Sequence, residues 1–177
     1  MKNFKTIGLT AFTALSLMLT SCGSDDSGES TGPVGSSLDT YVSAKVDGVN
    51  FETFAIQGFS LGTASRDGSF VTVTGISQES ATATEQKVIT IALMDVTGPG
   101  TYTLNANTNI GVISYFETAT DKSWDSGNCD AGTATIVVTT FNDTKIEGTF
   151  TFTGADGDNC SSTKNVTNGE FRGTFMN

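Results

Sequence analysis

The chain has 177 residues, 19 acidic side chains against 9 basic ones, no histidine, and a formal net charge of −10. That length suits one domain with a real core, and the acidity argues against nucleic acid and against direct attraction to anionic membrane surfaces. The absence of histidine excludes a Ser-His-Asp triad, a Cys-His pair, a His-x-x-x-His zinc site and any histidine proton shuttle.

Residues 1–21 come first. Lys2 and Lys5 open the chain, Ile7 to Leu19 carries no charge, and Leu19-Thr20-Ser21-Cys22 follows. The apolar run of about 13 residues is shorter than the roughly 20 a membrane-spanning helix needs. The layout is that of a secretory signal, ending in a cysteine preceded by small residues. This ending resembles the lipobox of bacterial lipoproteins. The resemblance implies that the Cys22 thiol takes a diacylglycerol, that the peptide is cut just before it, and that the new amino terminus is acylated. Two or three acyl chains, palmitate among them, anchor a protein durably where one is marginal. Removing residues 1–21 leaves 156 residues and takes Lys2 and Lys5 with it, so the mature charge becomes −12.

Gly23-Ser24-Asp25-Asp26 follows Cys22 directly. Asp25 and Asp26 are similar to the acidic export tag of Bacteroidota surface lipoproteins, which implies an outer-membrane protein facing the outside of the cell. Read as ordinary linker acids, they leave a periplasm-facing alternative open. Residues 22–38 are Ser, Gly, Asp, Glu, Thr and Pro with almost no apolar side chains, the composition of a flexible acidic tether.

Residues 39–177 read as strands and turns. Val42, Ala44 and Val46 alternate with polar neighbours, and Asp47-Gly48 marks a two-residue hairpin turn before Val49 and Phe51. Arg66-Asp67-Gly68 is a second hairpin tip ahead of Phe70 to Ile76. Val88 to Met94 is apolar apart from Thr90 and reads as a central strand. Gly98-Pro99-Gly100 breaks it before Thr101 to Leu104, and Ile110 to Thr118 and Thr133 to Phe141 are further β-rich runs. In Lys145 to Thr153 the residues Ile146, Gly148, Phe150 and Phe152 share one face, with period two. Across Val166 to Phe175 the parity changes, because Val166 is even-numbered while Phe171 and Phe175 are odd. If all three face the core, one extra residue is needed, and Asn168-Gly169 is the place for a bulge. No helix is expected after the leader. The expected fold is a single antiparallel β-sandwich of about nine or ten strands, with a β-barrel as the alternative.

Four motifs stand in order along this domain: Ala44-Lys45-Val46-Asp47-Gly48, Gly100-Thr101-Tyr102, Gly148-Thr149-Phe150-Thr151-Phe152 and Thr167-Asn168-Gly169-Glu170-Phe171. After a lipobox, they resemble a family of small uncharacterised Bacteroidota lipoproteins with an all-β domain. The resemblance implies fold and address, and it carries no catalytic residue.

Cys129 and Cys160 remain once Cys22 is spent, and in an oxidising compartment such a pair reads as a disulfide. They flank a region read as two antiparallel strands with a turn at Asn142-Asp143, which returns the chain to its starting end. Asp121, Trp124, Asp125 and Asp130 form a polar loop region with the single tryptophan. It is a candidate glycan edge, with Trp124 stacking on a pyranose and the carboxylates accepting hydroxyl hydrogen bonds. The bland alternative is a tryptophan that covers one end of the core. Asp156-Gly157-Asp158-Asn159 clusters oxygens of the kind calcium takes, but its spacing departs from the EF-hand loop, so it reads as a hydrophilic turn. No cofactor or metal is expected. The function read from the sequence is a lipid-anchored, non-enzymatic binding or structural protein of the envelope, with a glycan or an envelope protein as partner. The alternative is a carboxylate-based glycoside hydrolase using Asp121 with Asp125 or Asp130, or a glycan-binding accessory of a polysaccharide-utilisation system.

Overall fold

The computed structural model describes residues 40–175. The leader, Cys22, Asp25, Asp26 and the tether lie outside the described residues. Thirteen strands and no helix are found in the described part: β1 (Tyr41–Val46), β2 (Val49–Glu52), β3 (Ala55–Ile56), β4 (Phe59–Ser60), β5 (Thr63–Asp67), β6 (Phe70–Ser77), β7 (Lys87–Leu93), β8 (Gly100–Asn105), β9 (Gly111–Glu117), β10 (Lys122–Asp125), β11 (Thr133–Phe141), β12 (Lys145–Asp156) and β13 (Thr163–Thr174). The count exceeds nine or ten because β3 and β4 are only two residues each and because β10 lies where a polar loop was expected.

Eleven strands form one antiparallel sheet in the order β2-β1-β13-β12-β10-β9-β7-β6-β5, with β11 paired to β12 and β8 paired to β11. The sheet folds over on itself. β1 and β2 pack on β6, β13 packs on β5 and β6, and β12 packs on β9. The two layers are therefore β8-β11-β12-β13-β1-β2 and β10-β9-β7-β6-β5. β2 and β5 end the path without pairing, so the structure is a sandwich joined along one side and not a closed barrel.

β12 makes the join. Over Ile146–Thr153 its edge pairs with β11, and further on Ala155 and Asp156 pair with Asp125 and Trp124 of β10. Ile146, Gly148, Phe150 and Phe152 are buried at alternate positions, as their spacing requires, and then Ala155 and Asp156 are buried in succession as the strand leaves one layer for the other. Gly154 is needed at this crossing, because a Cβ there would lie 2.7 Å from the Trp124 carbonyl oxygen.

The bulge in β13 is present where parity demands it. Val166 pairs with Phe152 and Gly169 with Phe150, so three steps on β13 face two on β12. Asn168 takes the positive φ, 53°. The extra residue brings Val166, Phe171 and Phe175 to the core together. Asp47-Gly48 forms the two-residue turn with φ of 49° and 84°, the pair of positive values a type I′ turn requires. β7 is central, between β6 and β9. Its Ile89, Ile91 and Leu93 face the core, and its other face is only partly covered.

On the outer face Glu147 holds two cations, with Arg172 Nε at 2.7 Å and Lys145 Nζ at 3.1 Å. Burial pulls the Glu147 carboxyl upward, but hydrogen bonds from Lys145 and Thr140 and the charges of Arg172 and Lys145 outweigh it and hold the group below its ordinary range. A depressed carboxyl contributes stability above its unfolded pKa and loses it as pH falls through the folded value. Glu147→Gln is expected to lower stability by about 0.5–1 kcal/mol at neutral pH, the range for partly exposed pairs. Denaturant titrations of both proteins across the acid range check this. The difference should shrink as the carboxylate protonates, and a pH-independent difference would contradict the assignment.

Candidate binding groove and the disulfide end

The residues named from the sequence are brought to one end of the domain, but not into one site. Trp124 lies in β10, not in a loop, and is only 5% exposed. Its ring packs on Tyr115 with centroids 5.9 Å apart, and its indole N–H donates to Ser162 Oγ at 2.9 Å. The Lys164 ammonium sits 5.1 Å from the ring centroid. Of the two readings of Trp124, the structure agrees with the tryptophan that covers one end of the core and not with the pyranose-stacking platform: the period of two in β10 turns this side chain inward. Asp121 is exposed in the β9–β10 turn at φ 53°, and Asp130 is exposed beyond β10. Asp125 is half-buried and accepts from Ser123 Oγ and Asn128 Nδ2, both at 3.0 Å. Burial pushes its pKa up, and these two hydrogen bonds offset part of that. Asp121 stands in the turn just before β10 and Asp125 ends that strand, with three residues between them.

Cys129 and Cys160 form a disulfide with Cα atoms 6.1 Å apart. The topology explains it. β10 and β11 run in the same direction along one edge of β12, and residues 126–132 are spare chain looped out between them. Ser126 pins the start of this loop: its Oγ accepts the Ile113 N–H at 2.9 Å, and its own N–H donates to the Ile113 carbonyl at 2.9 Å. Cys129 at the loop tip meets Cys160 in the β12–β13 turn, and both cysteines adopt a φ of 58°. Asn128 Nδ2 also approaches the Ala155 carbonyl at 3.3 Å.

Asp156 is buried, and its carboxylate serves the turn. Oδ1 accepts the Asp158 N–H at 2.9 Å and Oδ2 accepts Ser162 Oγ at 3.2 Å. Lys122 Nζ stands 3.9 Å away. Asp158 points to solvent. Among the described residues no group of three or more acidic or cysteine side chains converges in a way that would hold a metal ion.

A separate concavity of about 720 Å³ opens beside this end. Its wall is the β6–β7 connection, residues 78–86, with Gln78, Glu79, Thr84, Glu85 and Gln86. Asn50 of β2, Lys87 of β7 and Glu117 of β9 complete it. The connection is held in place. Gln86 Nε2 donates to Gln78 Oε1 at 2.9 Å across its ends, the Gln86 N–H donates to Thr118 Oγ1 at 2.7 Å, and the Thr118 N–H donates to the Gln86 carbonyl at 3.0 Å. At the groove edge Lys164 bridges Asp47 at 3.2 Å and Glu117 at 3.8 Å, and the Tyr115 hydroxyl donates to Glu117 at 2.8 Å. Burial, reinforced by Glu117, pushes the Tyr115 hydroxyl far above its ordinary range and keeps it a donor. This network ties β13 and the β1–β2 turn in one layer to β9 in the other.

The groove volume falls within the range of ligand sites, about 300–1,000 Å³, and its lining combines amide, carboxylate, ammonium and hydroxyl groups with the methyls of Ala83 and Ala119, with no aromatic ring among them. Such a surface suits a hydrophilic ligand. None of the groove residues stood out in the sequence. The available signal was length: residues 78–86 make the longest connection between strands in the domain, and long ordered connections are where binding residues concentrate.

No protein-family model matches the chain, and neither the comparison with curated proteins nor that with solved structures finds a match.

Proposed function

We propose that the chain is a lipid-anchored outer-membrane protein whose sandwich is a binding module for a hydrophilic envelope or environmental ligand, a glycan foremost. The observation that carries this reading is the groove of about 720 Å³ with polar and charged side chains along its walls. With Cys22 lipidated, and with Asp25 and Asp26 directing export, the groove would be presented outside the cell. A non-enzymatic role is favoured because Asp125 is committed to internal hydrogen bonds and Trp124 to the core.

Retention of soluble polysaccharides by the immobilised protein tests the reading, with reducing-end release measured in the same samples. Wild type is expected to retain at least one polysaccharide without cleaving it. A Glu85→Gln/Lys87→Ala variant is expected to lose roughly tenfold or more in affinity, the loss of about 1.4 kcal/mol that one or two groove hydrogen bonds supply. Reducing ends that appear with wild type and vanish with the variant would instead establish the hydrolase. Equal retention by both proteins would remove the groove from the account.

A further inference from the structure

β3 and β4 form a small hairpin whose turn, Gln57-Gly58, has φ of 49° and 80°. It is the same type of turn as Asp47-Gly48, but the residues that flank it are apolar and face solvent. Phe59 is 68% exposed and Ile56 is 45% exposed, and the two are directly paired across the hairpin. No charged residue stands between Glu52 and Arg66. The hairpin base is fixed. The Phe54 N–H donates to the Ile76 carbonyl at 2.8 Å, and the Leu61 N–H donates to the Phe54 carbonyl at 2.9 Å. Ser60 Oγ donates to the Thr40 carbonyl at 2.7 Å, and a Cβ on Gly62 would collide with that same carbonyl. The finger therefore springs from the point where the tether joins the domain.

We propose that this tip is a second membrane contact, in which Ile56 and Phe59 enter the interface of the bilayer that the lipid of Cys22 anchors the chain to. The inference rests on the lipid-anchor reading. Residues 23–39 span at most about 60 Å even when fully extended, so a lipid surface is always within reach of this corner. A bilayer interface accepts an aromatic and an aliphatic side chain on an uncharged turn without needing a shaped partner surface. Two side chains are far too small a patch for a second copy of the chain, because a stable protein interface takes about 800 Å² from each partner. The acidic remainder of the domain is repelled by anionic lipid, which leaves an uncharged finger as the suitable point of approach.

The test uses the full lipidated protein in vesicles of phosphatidylethanolamine and phosphatidylglycerol, with Phe59→Cys carrying an environment-sensitive nitrobenzoxadiazole label. Asp121→Cys, exposed in the β9–β10 turn, carries the same label as control. Position 59 is expected to shift its emission to the blue on reconstitution and to be quenched by nitroxide-bearing lipid, while position 121 stays water-like. Water-like emission at both positions in vesicle-bound protein would overturn the proposal. So would a blue shift at position 59 that is already present in protein made without residues 1–22 in detergent-free buffer, which would mean burial or self-association. Failure of the anchor reading itself is seen separately, as wild-type protein that does not float with the vesicles, and it would remove both.

Discussion

Replacing Trp124 by Ala should lower the unfolding free energy by about 3–5 kcal/mol, the cost of emptying a large aromatic site in a packed core. The side chain fills the join between the layers, against Tyr115 and under Lys164, and its N–H is matched by Ser162 Oγ. Trp124→Phe should cost less, because it keeps most of the volume and loses the one hydrogen bond. Urea or thermal melts give the numbers. The protein has a single tryptophan, so its fluorescence is an independent check. Native emission should be blue-shifted and shielded from iodide, and added polysaccharide should leave it unchanged. Water-like native emission, or a melting temperature unaltered in the Ala variant, would restore the alternative of an exposed stacking platform.

Loss of the disulfide is the second large effect. Cys129→Ser/Cys160→Ser should remove about 3–4 kcal/mol in the chain-entropy model for a closed loop of this size, given a separation of 31 residues. For a domain of this length that corresponds to a fall of roughly 10–15 °C in melting temperature. The double variant should still fold, since β10, β11 and β12 pair without help from the bridge, but the looped-out segment 126–132 should become the first site of proteolysis. The comparison is a thermal melt with limited digestion. Equal melting temperatures for wild type and double variant would mean that the bridge constrains nothing.

Strands with one wet face were legible in the sequence. Ile146, Gly148, Phe150 and Phe152 announced both their strand and its buried face, and the odd–even conflict between Val166 and Phe171 located a bulge that has no local signature beyond Asn168-Gly169. The hairpin logic that set Cys129 against Cys160 needed only the turn at Asn142-Asp143. β10 was not legible, because four residues flanked by Asp121 and a polar loop offer too short a period to separate strand from turn, so the sequence is compatible with both an outward and a core-covering Trp124. The groove was not legible either. Its residues come from β2, the β6–β7 connection, β7 and β9, and only the folding-over of the sheet at β12 brings these together. The exposed Ile56–Phe59 pair was equally hidden, since apolar residues beside a Gly turn look the same whether they face core or solvent.

The account turns on the anchor that puts the tether end at a membrane and the groove outside. Metabolic labelling with an alkyne palmitate analogue, followed by protease treatment of intact cells, measures it directly. Wild type is expected to carry the label and to be digested from outside. Cys22→Ala should carry none, and Asp25→Ala/Asp26→Ala should stay labelled but become protected. Label incorporation that is unchanged in Cys22→Ala would contradict the account at its base.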